Sequence, residues 1–109
     1  MSVRLVVSEQ TAHHLKNLSS DEADDDSKLR MLLMAEYKRR LSRYSLTDRR
    51  LQEKYGVTFE EFERRNMVQD LGFEWDVESD AIEWDLAIDG IKTLSRRLTE
   101  LAGPSLYEH

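Results

Sequence analysis

The chain has 109 residues, of which 39% are apolar and 35% charged, with a net charge of −6 and no cysteine. That length fits one domain with a modest core. The charged share exceeds the usual quarter, so much of each element must face water. Disulfides and thiolate metal sites are excluded, and the negative balance argues against non-specific attraction of the whole chain to nucleic acid or anionic lipid.

Val3, Leu5 and Val7 alternate with Ser2, Arg4 and Val6, which predicts a short strand over Ser2–Val7. No long apolar run follows Arg4, so neither a secretion signal nor a membrane span is expected, and the expected location is the cytoplasm. Ser8 suits a helix N-cap, with Glu9 in the first turn and Ala12, Leu15 and Leu18 on one face. A polar loop rich in aspartate follows, over 19–27.

From Leu29 no Gly or Pro interrupts the chain until Gly56. Met34, Tyr37, Leu41, Tyr44, Leu51 and Tyr55 fall on a heptad seam in which Asp48 is the intruder. This stretch is either one long helix or two, parted near Ser45 to Thr47 with Thr47 as the second cap. Gly56 suits a C-terminal cap. Thr58 with Glu61 forms a capping box that opens a helix running to about Gly72, with Phe59 and Phe62 inward. Phe73 to Val77 alternates as F-E-W-D-V, a brief extended segment or a linker. A final helix is predicted from Ser79 to Ala102, with Trp84, Ala87, Ile91, Leu94, Leu98 and Leu101 as its seam, ended by Gly103-Pro104. The fold class is therefore mainly α, in a single domain over 1–109. Within it lie a strand and short helix (1–18), an acidic loop (19–27), a basic helix and the one after it (28–72), an acidic segment with the C-terminal helix (73–102) and a tail (103–109).

Charge is sorted along this frame. Lys28 to Gly56 holds nine basic residues against three acidic, a local charge of +6. Val57 to Ile91 holds eleven acidic residues against two basic, a local charge of −9, together with both tryptophans, Trp75 and Trp84. Acid interleaved with large aromatics suits a surface that docks on something basic. Trp84 also fits the seam of the last helix, so Trp75 is the better partner contact. The plainer alternative is that the two halves neutralise each other, within one chain or across a dimer.

No catalytic, cofactor or metal site is expected. His13 and His14 are adjacent on a helix and point about 100° apart, so they do not share one metal. Asp76, Glu78 and Asp80 alternate, but Ala81 and Ile82 stand where a calcium loop needs its glycine. No nucleophile–base arrangement and no phosphate-cradling glycine loop is present. The segment Leu51 to Arg65 has the outline of a helix-turn-helix, but Glu60, Glu61 and Glu63 on the would-be recognition helix would repel phosphates.

The order strand Ser2–Val7, helix Ser8–Leu18 and helix from Ser27 resembles the ribbon-helix-helix family. That resemblance implies a dimer with paired strands whose outward side chains, here Ser2, Arg4 and Val6, enter the major groove of DNA. Asp24, Asp25 and Asp26 depart from it, because they precede the helix whose N-terminus would meet a phosphate.

The segments E-Y-K-R-R-L-S-R-Y-S-L-T-D-R-R-L-Q-E-K-Y-G-V-T-F-E-E-F-E (Glu36 to Glu63) and W-D-V-E-S-D-A-I-E-W-D-L-A-I-D-G-I-K-T-L (Trp75 to Leu94) resemble small helical prokaryotic antitoxins of type II toxin–antitoxin pairs. The resemblance implies a homodimer-prone, non-enzymatic protein that silences a cognate protein toxin, often a ribonuclease, and that in many cases also binds its own promoter DNA. The residues expected at the toxin contact are Glu74, Trp75, Asp76, Glu78, Asp80, Glu83 and Asp85. The alternatives are a ribbon-helix-helix-like transcriptional regulator and a non-catalytic oligomeric adaptor.

Overall fold

The computed structural model describes residues 1–18 and 24–103, and most of them lie in five helices. Most of the acidic loop and the tail beyond Gly103 lie outside the described residues. The chain divides into two compact units, Met1–Ala35 and Glu36–His109.

In the N-terminal unit, α1 (Glu9–Lys16) opens as its sequence predicts. Ser8 is extended, and its Oγ accepts from the Thr11 backbone N–H at 3.1 Å, satisfying one of the amides that the first turn leaves without a partner. The strand expected over Ser2–Val7 is not formed. Among the described residues there is no strand, and this segment is exposed throughout. A strand exists only within a ladder, and none of the described segments supplies the second member. Nor does this unit bury any described apolar residue. Its one buried residue among those described is Lys28, whose Nζ donates to the Lys16 carbonyl at 3.1 Å and so ties the start of α2 to the end of α1.

Helix α2 (Asp25–Tyr55) is continuous over 31 residues, about 46 Å long. Asp24 Oδ1 accepts from the Ser27 backbone N–H at 2.8 Å at its start. The break considered near Thr47 does not occur. No Gly or Pro interrupts the run, and Thr47 turns its hydroxyl back to donate to the Arg43 carbonyl at 3.3 Å instead of capping a new helix.

Gly56, at φ 72°, ends α2. Thr58 then caps α3 (Phe59–Arg64) through a bond from the Glu61 N–H to its Oγ1 at 3.2 Å. The single helix expected up to Gly72 is in fact two. Asn66 adopts the left-handed conformation, φ 50° and ψ 50°, and α4 (Met67–Asp70) starts after it. Asparagine tolerates that region better than other side chains.

The last helix, α5 (Trp75–Ala102), begins four residues earlier than its seam suggests. Phe73 at φ 55° turns the chain, Glu74 is extended, and Asp76 and Glu78 fall in the first turn, where the helix dipole favours them. The F-E-W-D-V alternation is thus a turn leading into a helix.

The core lies in the C-terminal unit. Leu51, Phe62, Val77 and Trp84 are buried together. Trp84 stacks on Tyr55 with ring centroids 6.0 Å apart, and meets Phe59 at 5.4 Å and Phe62 at 5.1 Å. Each such pair adds about 0.5–1.5 kcal/mol beyond its area burial.

Asp48, the polar intruder in the α2 seam, is explained by this layer. Its Oδ1 accepts from the Trp84 indole N–H at 2.8 Å and its Oδ2 from Gln52 at 3.1 Å. Without a carboxylate there, the buried indole would lose its acceptor, at a cost of about 1–3 kcal/mol. Helices α2 and α5 run antiparallel. Lys54 reaches Asp80 and Asp48 reaches Trp84, while Tyr37 lies under Arg97. Gly90 belongs to this packing: a Cβ there would stand 2.5 Å from Tyr44 Cε2, so the absent side chain makes room for the ring.

Candidate protein-docking surface

The structure separates the seven expected contact residues by depth. Asp80 points inward. Its Oδ2 accepts from Lys54 Nζ at 2.5 Å and from the Tyr55 hydroxyl at 2.6 Å. Burial pushes the Asp80 carboxyl up, but those two hydrogen bonds and the nearby charges of Lys54 and Arg50 outweigh it and hold the group below its ordinary value. The Tyr55 phenol moves the other way, raised by burial and by its bond to the Asp80 carboxylate. Glu83 lies at the edge of the contact, where its Oε1 accepts from Arg50 at 2.9 Å. The charge sorting is therefore partly internal, since two acids of α5 answer two cations of α2.

The outer face of α5 is different. Trp75 is 81% exposed, Ile82 65% and Leu86 62%. Steps of seven and four residues place these three on one stripe, opposite the buried Val77, Trp84 and Ala87. At 100° per residue, Asp76 and Glu83 flank the stripe on one side, and Glu78, Asp85 and Asp89 on the other. Glu74 is exposed at its head, next to Phe73, which is also exposed.

Of the seven residues, Glu74, Trp75, Asp76 and Asp85 are exposed, Glu78 is half-buried, and Asp80 is withdrawn. Phe73 is exposed, as its place among the acids suggests, whereas sequence reasoning missed Ile82 and Leu86. The signal for these two was a second heptad relation, Trp75 to Ile82 and then Leu86, running behind the Trp84 seam.

Two grooves flank the α2–α5 pair within this unit, and they carry opposite charge. One, about 550 Å³, is lined by Arg39, Arg40 and Arg43 with Tyr44, Leu46 and Leu86. Glu36 at its edge holds Arg39 through two bonds of 2.7 Å and Arg40 through one of 2.9 Å, and these guanidinium bonds bring the Glu36 carboxyl down to about 2. The other, about 660 Å³, is lined by Asp48, Glu60, Glu63, Asp85 and Asp89 around Phe59 and Ile88, with Lys92 as its cation.

The remaining candidates lie elsewhere. Ser2, Arg4 and Val6 are all exposed in the segment before α1. His13 Nε2 lies 3.1 Å from Asn17 Nδ2, and its ring meets the His14 ring edge-on at 5.4 Å. Among the described residues no group of three or more His, Asp or Glu side chains is placed to hold a metal ion, and no helix is long and apolar enough to cross a membrane. Comparison of the chain with protein-family models, with curated proteins and with solved structures gives no match.

Proposed function

We propose that this chain is an antitoxin that neutralises a basic protein toxin by docking the outer face of α5 on it. The observation that carries the reading is the stripe itself: a tryptophan, an isoleucine and a leucine in the open, bordered on both sides by carboxylates. A monomer gains nothing from exposing Trp75 to this extent, and exposed aromatic–aliphatic patches mark contact sites. A toxin that acts on RNA needs a basic groove for phosphates. A helix presenting apolar anchors between two rows of acids fills such a groove. The anchors supply desolvated area, and the acids supply steering and register. The antitoxin-like segments Glu36 to Glu63 and Trp75 to Leu94 contain the whole stripe and the part of α2 from Glu36 onward.

The test is a search for a small basic protein encoded beside this one, whose absence would count against the reading, and titration of the chain against it where it is found. Trp75→Ala should weaken binding by about 2 kcal/mol or more, as truncation of a central aromatic anchor does. Asp76→Lys with Asp85→Lys should slow association and flatten its salt dependence. Unchanged affinity in both variants would sink the reading.

A second reading, a DNA-binding regulator acting through Ser2, Arg4 and Val6, is favoured by the full exposure of the segment before α1. It requires strand pairing between two copies. Arg4→Ala should then abolish the shift of the chain's own upstream DNA, and no shift by the wild-type protein would dismiss it.

A further inference from the structure

We infer that the α5 stripe has a second occupant, the basic groove of another copy of this chain, in an antiparallel two-fold dimer centred on Leu86. The argument is one of charge order along a shared face. Leu86 belongs both to the stripe and to the groove lined by Arg39, Arg40 and Arg43. Tyr44 packs against Gly90 and Tyr37 against Arg97. Arg43 and Arg40 therefore stand beside α5 about one and two turns on the C-terminal side of Leu86. Glu83 and Asp76 lie about one and three turns on its N-terminal side. The face reads basic, apolar, acidic along one line.

A two-fold axis at Leu86 reverses that line in the second copy. Arg43 then faces Glu83 of the second copy, Arg39 and Arg40 face the end that carries Asp76, and Leu46, Ile82 and Leu86 close over the middle. A parallel arrangement would set arginine on arginine. Because the contact is isologous, it closes at two chains. Nucleic acid fits the groove less well, since Leu46 and Leu86 form an apolar wall and Glu36 and Glu83 border it. The dimer and the proposed toxin contact use the same stripe. Resting on the antitoxin reading, the consequence is that toxin and second copy compete, so the free protein covers its own docking surface until a partner displaces the copy.

Sedimentation equilibrium of the full chain alone tests the dimer without any toxin, so its failure leaves the toxin contact standing. The wild type should dimerise, more weakly as salt rises. Leu86→Arg, at an exposed position that the fold tolerates, should raise the dissociation constant by about tenfold or more. So should the double change Arg39→Glu, Arg40→Glu, and separately the pair Glu74→Lys, Asp76→Lys. An equimolar mixture of these two charge variants should regain dimers that neither forms alone, because both contacts are then complementary. Circular dichroism verifies that each variant keeps its helix. A monomeric wild type, binding of an oligonucleotide in the groove with no self-association, or a dimer indifferent to Leu86→Arg but lost in Leu29→Asp of the N-terminal unit, would each overturn the inference.

Discussion

Trp84 and Trp75 sit on one helix and have opposite environments. Trp84 is fully buried, ringed by Tyr55, Phe59 and Phe62, and its indole N–H is matched by Asp48 from a distant part of the chain. Trp75 stands in the open among carboxylates, with Ile82 and Leu86 along the same line. No buried side-chain nitrogen or oxygen is left unsatisfied around the first or elsewhere among the described residues. The inner face of α5 is thus closed chemically as well as sterically, whereas the outer face presents exposed apolar area. The same residue type is enclosed on one side of a helix and open on the other, and acids follow the same division, with Asp80 inside and Asp76 outside.

Substitutions should separate the two faces, and the largest effect belongs at the centre of the inner one. Trp84→Ala should cost about 3–5 kcal/mol in urea unfolding, by opening a cavity among three rings and leaving Asp48 Oδ1 without its indole donor. A loss below 1 kcal/mol would mean that the aromatic layer is not the core. Next comes Asp80→Ala, which leaves Lys54 and Tyr55 unmatched and should cost about 1–3 kcal/mol.

Asp80 also makes stability depend on acid. Its folded-state carboxyl lies below the ordinary 3.8, so the unfolded chain binds the proton first. Its contribution is complete above that ordinary value and is lost as pH falls through the folded one. Asp80→Asn should flatten this part of the acid-unfolding curve, and a curve of unchanged shape would contradict the assignment. A smaller effect is expected at the cap of α3, where Thr58→Ala should cost about 1 kcal/mol in the same unfolding assay. Smallest of all, Trp75→Ala should change stability by no more than about 0.5 kcal/mol. A larger loss would move Trp75 to the inner side and erase the contrast.

How much of this was legible in the sequence depended on how far apart the deciding residues lie. Ser8 and Thr58 act on backbone amides three residues away, so both caps read correctly. The long run without Gly or Pro pointed to a helix, but Thr47 and Asp48 also suit a cap, and only Trp84 packed against the far side explains Asp48. The strand over Ser2–Val7 fits its alternation, yet a ladder needs a second strand that local pattern does not supply. Asn66 was hidden because a left-handed residue inside an otherwise helical stretch leaves little compositional trace. At the candidate surface, Trp75 and the flanking acids were visible from composition. Ile82 and Leu86 were not, because the seam through Trp84 accounts for the apolar residues of α5 until burial shows a second stripe behind it. Asp80 was grouped with the outer acids because spacing along the chain alone does not show that Lys54 and Tyr55 face it.

The placement of the two indoles gives the protein a pair of built-in optical reporters. An indole enclosed by rings and bonded to a carboxylate should emit at shorter wavelength and resist acrylamide, while one bathed in water should emit at longer wavelength and be readily quenched. With Trp75→Phe, the remaining emission follows unfolding alone. With Trp84→Phe, it would report the arrival of the proposed toxin or second copy on the stripe, so folding and docking would be read in separate colours from one unlabelled chain.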